Sequence, residues 1–549
     1  MPADLPRRGA PLLLGLDLGT GRCKAALAAR DGRVLHVARR ATPTRRLPDG
    51  GAEHPAGDLL AAVESLLAEC ARAAEGLGRR IGTIGVASMS EAGVPVGEER
   101  PAASAGMVAA AVTTGAGALA VPDAVPLGDV LAWFDPRPAA EAAEIGASLG
   151  PARLHAITGL RPDAKYTLPK LLWLSRHRPD LLRRMTAWAG VAELAALHLS
   201  GALATNASLA CRTLAFDVAA RAWRDDLLEM AGLDAGHMPP VLPFARPAGG
   251  LRPGIAARLG LQAGVPVVVA GHDHVVGGLA VGVAGAGQVL DSIGTAETAL
   301  LVTDEPRLDD SLRAAGLSTG CHAVDARWYV LGGLQASGAV VDWFVDSFLG
   351  GDSGDRYAAF VRLVDAAPPG PSGVLVLPYL RGRSAPRPDL HATLDVLGLG
   401  PDHGLPDLAL GVLDGTAFAV RWIVEELERA AGAHVGVVRV TGGGTRNRRW
   451  VQIRAALDPW PLEVARAEES VALGAAIVGG IGAGIVGEIG AGIVGETGAG
   501  FTGPCGEPAV EPTAVERVPA DPELRDAYEA AYRGRFLPAA LRGMPGDEP

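Results

Sequence analysis

Two stretches far apart in the chain share one pattern, and that pattern constrains the fold more than any other feature. Each is an apolar run that reaches an aspartate, passes through a Gly-Thr turn and enters a second apolar run. Leu12 to Leu16 leads into Asp17-Leu18-Gly19-Thr20-Gly21, and Gln288 to Leu290 leads into Asp291-Ser292-Ile293-Gly294-Thr295. Short apolar runs bounded by glycine read as strand, tight turn, strand. Either turn alone reads as a plain hairpin. Two of them imply two similar halves with a cleft between.

The rest of the chain fits that plan. Leu12 to Leu16, Ala25 to Ala29 and Gly32 to Val37 read as a strand meander, and Pro55 to Leu77 carries apolar residues at helical spacing. Ile81 to Ala87 predicts a strand ending in Ser88-Met89-Ser90-Glu91, and Val130 to Phe134 a strand leading into Asp135-Pro136-Arg137. Between them, a Gly/Ala-rich patch over about residues 97–127 reads as an inserted loop. Most of Pro138 to Leu233 reads as helices. Val265 to Ala270, Gly287 to Leu290, Ala299 to Thr303 and Trp328 to Leu331 predict strands, and Gln335 to Leu349 a helix. The strand Val437 to Val440 enters a third glycine turn, Thr441-Gly442-Gly443-Gly444-Thr445, followed by a helix over Asn447 to Leu457. The fold class expected is α/β, with an N-terminal domain over 11–270 and a C-terminal domain over 271–535. From Ile481 an eight-residue unit recurs, Ile481 to Glu488, Ile489 to Glu496 and a decayed copy Thr497 to Pro504. Its period is too short for a solenoid, so a low-complexity insertion over about 480–512 is expected.

Phosphate oxygens need several donors at close range, and a Gly-Thr turn offers unobstructed backbone N–H groups plus a hydroxyl. Gly19 and Thr20, Gly294 and Thr295, and the Gly442 to Gly444 turn are therefore candidate phosphate or nucleotide holders, with Lys24 a candidate positive charge. An aspartate facing phosphates repels them unless a divalent cation lies between, so Asp17 is a candidate magnesium ligand. For Asp291 the simpler reading is a carboxylate that caps its own turn. Gly271-His272-Asp273-His274 offers a carboxylate at a strand end. His272 and His274 also permit a metal site, but no other His, Cys or Glu at obvious spacing supplies a third ligand, and Asp273 alone as a general base is more economical. Glu91, Trp133, Asp135, Arg137 and Tyr166 each follow a strand or open a helix and could bind a polyhydroxy ligand.

A net charge of -11 with scattered arginine argues against a duplex nucleic-acid partner, which needs a clustered basic footprint. The five cysteines include no Cys-x-x-Cys pair, which fits reduced thiols and a cytoplasmic location. Two uncharged stretches, Pro101 to Pro122 and Ser470 to Gly487, approach membrane-span length, yet they are built of Ala, Gly, Thr and Val, and no membrane association is expected.

Several runs together resemble the FGGY family of carbohydrate kinases, from about Leu12 to Gly479. They are Gly15-Leu16-Asp17-Leu18-Gly19-Thr20, Trp133-Phe134-Asp135-Pro136-Arg137, Leu168-Pro169-Lys170-Leu171-Leu172-Trp173, Gly271-His272-Asp273, and Gly442-Gly443-Gly444-Thr445-Arg446-Asn447 through Gln452 to Glu469-Ser-Val-Ala-Leu-Gly474. The resemblance implies two ribonuclease H-like domains of the actin and hexokinase type, ATP with Mg2+, and transfer of the terminal phosphate to a sugar or polyol; the candidates run over ketoses, short polyols and sugar acids, with a ketose or polyol favoured. It implies Asp273 as base, Gly19, Thr20, Gly294 and Thr295 at phosphates, and Gly443, Gly444 and Asn447 beside adenosine. Glu91, Trp133 and Tyr166 would contact the acceptor, and a homodimer is possible. The chain departs from the family pattern in lacking an acidic residue in Gln452-Ile453-Arg454-Ala455-Ala456, in Ala192-Glu193-Leu194, and in Asn206. An actin-like or chaperone-like ATPase, or a silent sugar-binding protein of the same fold, would share the motifs.

Overall fold

The strand Leu12–Leu18 (β1) is buried along its whole length. A strand with layers on both faces has to be continuously apolar. Leu12, Leu14, Leu16 and Leu18 join one core cluster with Leu59, Val63, Leu66 and Leu67 of the helix Ala56–Gly76. Leu13 points the other way, into a second cluster with Leu473, Ala476 and Ile477 of the helix Ser470–Gly482. This is the two-residue alternation of a pleated strand.

In the computed structural model the described residues are 9–98, 112–113, 117–350, 353–467, 469–487, 501–502, 508–510 and 515–542. By contacts they divide into two units. Most of the expected 97–127 insertion, and most of the octapeptide repeat, lie outside the described residues.

The first unit runs to Ala284 and adds Thr319–Trp328 and a stretch from Ala467. Its sheet is built from β1, Arg22–Ala28 (β2), Val34–Ala41 (β3), Ile81–Ser88 (β4) and Pro266–His272 (β5). The order is β3-β2-β1-β4-β5 with a short edge strand beyond β5. The pairs β1/β2 and β2/β3 are antiparallel, and β1/β4 and β4/β5 are parallel. The helix Ser470–Gly482 lies so close to this sheet that a Cβ on Gly15 would sit 1.9 Å from the Ala472 carbonyl oxygen. One on Gly85 would sit 1.8 Å from that of Ala475. Only glycine permits backbone to approach backbone in this way.

The second unit holds Gly285–Ser318, Tyr329–Arg466 and the chain from Ala514. Its strands Gln288–Ile293 (β6), Glu297–Thr303 (β7), Trp328–Leu334 (β8), Val437–Thr441 (β9) and Leu462–Ala465 (β10) repeat the plan in the order β8-β7-β6-β9-β10, with further strands at both edges. Here too β6/β7 is antiparallel, and β6/β9 and β9/β10 are parallel. The 27-residue helix Leu405–Ala431 fills the core with Leu413, Val420, Ile423 and Leu427 against Val289, Leu301 and Val330. Both units are thus mixed α/β layers with a central sheet flanked by helices.

Three expectations shift. A boundary at 270/271 would cut inside β5, because the strand runs on to His272 and the helix Asp273–Ala280 packs against Ser470–Gly482 in the first unit. Of the expected strand Val130 to Phe134 only Val130–Leu131 is strand, since the Asp135 N–H turns back to the Ala132 carbonyl. The expected helix Gln335 to Leu349 starts at Gly338, because Ser337 and Gly338 donate to the carbonyls of the Gly294-Thr295 turn. Among the described residues no helix is long and apolar enough to cross a membrane.

Candidate functional site

The parallel strands β1, β4 and β5 end together, Leu18 opposite Ser88 and Ser88 opposite His272. Carboxyl ends of parallel strands are where ligands gather on open α/β sheets. Here they bring together Asp17 to Thr20, Ser90 with Glu91, and Asp273 with His274.

Asp273 opens the helix Asp273–Ala280. His272 Nε2 lies 3.1 Å from its Oδ1, and the His274 N–H donates to the same oxygen at 2.7 Å. Burial works against its charge, but the two histidines and that N–H outweigh burial and hold the carboxyl well below the usual carboxylate range. Burial lowers the pKa of His274, against the pull of Asp273. His272, Asp273 and His274 each offer a ligand atom within 4.8 Å of the others.

Asp17 is buried, and its pKa is pushed up to about 7 by burial, with Lys24 opposing and Asp273 reinforcing the shift. Lys24 faces it across the β1/β2 pair. Its ammonium lies 3.4 Å from Asp17 and 2.8 Å from Glu469, so in this conformation the expected phosphate-binding cation is held by two carboxylates. Glu469 stands just before the helix Ser470–Gly482 and was legible only as part of the family-like run. Thr20 is exposed beyond β1 and accepts a hydrogen bond from Trp133 Nε1 at 2.8 Å.

Glu91 sits at φ 63, in the left-handed region. Its carboxylate pairs with Arg212 at 2.8 Å and accepts from Ser90. Burial raises its pKa, but Arg212, His272 and Lys165 pull it down to about 2. Its backbone carbonyl accepts from Lys170 Nζ at 2.7 Å, and Lys170 also donates to the Lys165 carbonyl. Lys170 is fully buried, and burial pushes its ammonium down to about 7. The Arg212 guanidinium lies 5.5 Å from the ring centroid of the buried Tyr166. Sequence reasoning missed Arg212, whose partner is distant in the chain.

Asp135 and Arg137 face each other. Arg137 Nε donates to both Asp135 oxygens at 3.0 Å, its Nη2 donates to Glu53 at 2.9 Å, and its guanidinium stacks 4.7 Å from Trp173. Their polar atoms brace this corner, whereas Trp133, 38% exposed, remains open to a ligand.

In the second unit, Gly294 and Thr295 form the turn between β6 and β7. The third glycine turn follows β9. Gly442 has φ 96, and a Cβ there would lie 2.4 Å from the Ile293 carbonyl oxygen. A Cβ on Gly444 would lie 2.2 Å from the Ile293 side chain, while one on Gly443 would meet open space. Asn447 caps the helix Arg448–Leu457 by accepting from the Trp450 N–H, and its buried Nδ2 has no hydrogen-bond partner. Asp291 does not cap its turn. It is fully buried and paired with Arg454, because its side chain points from β6 into the helix layer.

Both halves of the chain match known proteins. Residues 103–280 match the model of the FGGY family of carbohydrate kinases, N-terminal domain, and residues 290–483 that of its C-terminal domain. The chain is 30% identical over 345 residues to a xylulose kinase of Escherichia coli (strain K12), covering 63% of this chain and 69% of that protein. It is 25% identical over 466 residues to a xylulose kinase of Bacillus subtilis (strain 168), covering 85% and 87%. The crystal structure of xylulose kinase from Rhodospirillum rubrum superimposes with a TM-score of 0.79 at 25% identity, covering 96% of this chain and 99% of that one.

Proposed function

The chain belongs to the FGGY family of carbohydrate kinases and is an ATP-dependent phosphotransferase acting on a sugar or polyol hydroxyl, and from that premise we propose that Asp273 is its general base. The observation that carries this reading is the convergence of Asp17, Glu91 and Asp273 at the shared ends of β1, β4 and β5.

The residues present suit ATP and Mg2+. Burial and the nearby Asp273 raise the cost of a charge on Asp17, a cost that a hard divalent cation offsets, and Asp17 is the carboxylate we assign to hold it. Magnesium bound there supplies neutralisation of phosphate charge. Gly19, Thr20, Gly294 and Thr295 offer backbone donors and hydroxyls to phosphates, with Lys24 beside the first pair. The open backbone at Gly443, together with Gly442, Gly444 and the orphaned Asn447 Nδ2, suits a nucleoside.

In the transfer, the acceptor hydroxyl oxygen forms a bond to the terminal phosphorus as the bond from that phosphorus to the bridging oxygen of ADP breaks, and the hydroxyl proton passes to an Asp273 oxygen. A carboxylate held below the ordinary range is a weak base that is ionised at neutral pH. That suffices where the transition state is loose and positioning carries most of the catalysis. Glu91, held by Arg212, Ser90 and Lys170, offers a fixed acceptor for substrate hydroxyls. We assign Trp133, Tyr166, His272 and His274 to the acceptor as well, with Asp135 and Arg137 bracing the corner next to Trp133. The two named relatives are xylulose kinases, which supports a ketose as acceptor, and a short polyol is the other class we carry into the test.

The test is a panel of ketoses, polyols and sugar acids with Mg-ATP, reading ADP release and phosphorylated product. One ketose or polyol is expected to stand out. Asp273→Asn is expected to lose roughly a hundredfold to ten-thousandfold in turnover with ATP affinity unchanged. A variant that keeps most of its turnover defeats the assignment of Asp273. ADP release indifferent to every acceptor would favour the ATPase reading.

A further inference from the structure

Arg454 lies on the helix Arg448–Leu457 and is 1% exposed, yet three carboxylates surround it. Nη1 donates to Glu297 Oε1 at 2.6 Å, Nη2 donates to Asp291, and Nε lies 3.6 Å from Asp458 Oδ2. All three acids are as buried as the arginine. Three carboxylates on one guanidinium are an inefficient source of stability, since apolar residues of similar volume usually serve as well or better. The fork of an arginine does something apolar packing cannot, which is to fix orientation through directional bonds.

The positions of the partners say what is being oriented. Asp291 precedes the Gly294-Thr295 turn on β6, and Glu297 follows it as the first residue of β7. One guanidinium therefore grips both legs of that turn. The second oxygen of Glu297 accepts from Ser337 Oγ at 2.5 Å, and the Ser337 N–H donates to the Thr295 carbonyl at 3.0 Å. A chain of bonds thus runs from Arg454 through Glu297 and Ser337 to the turn backbone. The helix bearing Arg454 begins directly after the Gly442 to Gly444 turn, which packs on Ile293 between Asp291 and Gly294. Arg454 stands inside the Gln452 to Ala456 stretch where the family-like pattern led one to expect an acid.

We propose that Arg454, with Asp291, Glu297 and Ser337, is a positioning device that sets the two glycine turns of the second unit in register for the nucleotide. This rests on the reading that those turns hold ATP. Arg454 and Ser337 act through the turns and touch no substrate.

Because Arg454→Met strands buried carboxylates and endangers folding, the experiment uses the full chain carrying Ser337→Ala and, separately, Arg454→Lys. Thermal unfolding, Mg-ATP and Mg-ADP affinity by titration calorimetry, and the KM of each substrate are measured. Ser337→Ala is expected to unfold within a few degrees of the wild type and to raise KM for ATP and both nucleotide dissociation constants roughly five- to tenfold, the size of one lost hydrogen bond. The acceptor KM should stay within about twofold, and Arg454→Lys should show the same split more strongly. A merely structural brace would instead lower the unfolding temperature and leave nucleotide affinity of the folded protein unchanged, and that result overturns the proposal. If Arg454→Lys fails to fold, Ser337→Ala alone decides. A wild-type chain that binds no nucleotide defeats the ATP reading and this inference with it. A wild type that binds while both folded variants bind equally well defeats this inference alone.

Discussion

Asp414 and Lys170 show what burial does to a charge of either sign. Asp414 lies in the core on the helix Leu405–Ala431 and accepts the Ser372 N–H at 3.1 Å. Burial pushes its carboxyl up to about 7, against the pull of that hydrogen bond. An acid with a raised folded pKa binds its proton more tightly when folded, so its favourable contribution is complete at acid pH and is lost as pH rises to 7. Asp414→Asn, neutral at every pH, is therefore expected to unfold roughly 5 °C higher than the wild type at pH 8. The gap should close as pH falls from 7 towards 4, and a pH series of thermal unfolding curves checks it. Lys170 holds two backbone carbonyls, those of Glu91 and Lys165. Lys170→Met leaves both without their donor, a loss of about 2 kcal/mol. It should also raise the acceptor KM, since it releases the strained Glu91 backbone, and steady-state kinetics beside the unfolding curve would show both effects.

At the level of elements, the contact of Ser470–Gly482 with β1 and β4 is the least forgiving in the first unit. Gly85→Val would drive a side chain into the Ala475 carbonyl, and the expected destabilisation is about 3 kcal/mol or more. Gly57→Ala, where a Cβ meets nothing, is the control and should leave the unfolding temperature unchanged or slightly higher. This helix also marks where sequence reading stops. The glycine turns and their strands were legible because their signals are local, an apolar run and a glycine within a few residues. Ser470–Gly482 was not, because a helix buried on nearly every side has no amphipathic period, and Ser470 to Gly487 reads only as an uncharged stretch that approaches membrane-span length. Arg454 failed for a related reason. A lone arginine on a helix reads as solvated, and its partners Asp291 and Glu297 lie in strands more than a hundred positions earlier. Asp273, Glu91 and Trp133 could be chosen as candidates, but that Arg212 holds Glu91 and Glu469 holds Lys24 follows only from tertiary packing.

For the whole molecule, the first unit is assembled from distant parts of the chain. A fragment ending at Ala284 lacks Ser470–Gly482 and leaves Leu13, Ala28 and the glycine-lined face of β1 and β4 without their cover. Such a fragment is expected to bind a hydrophobic dye and to melt without a cooperative transition, whereas appending residues 467–487 through a flexible linker should restore cooperativity. A sharp transition in the shorter fragment would show that the helix is dispensable. The same arrangement sets a timetable during synthesis. β1 and β4 leave the ribosome early, but the segment that must seat on their open side emerges some four hundred residues later, roughly 20 to 80 seconds at ordinary rates of translation. Throughout that interval a sticky, half-dressed sheet waits in the cell, and the nascent polypeptide should depend on a holding chaperone until Ser470–Gly482 arrives.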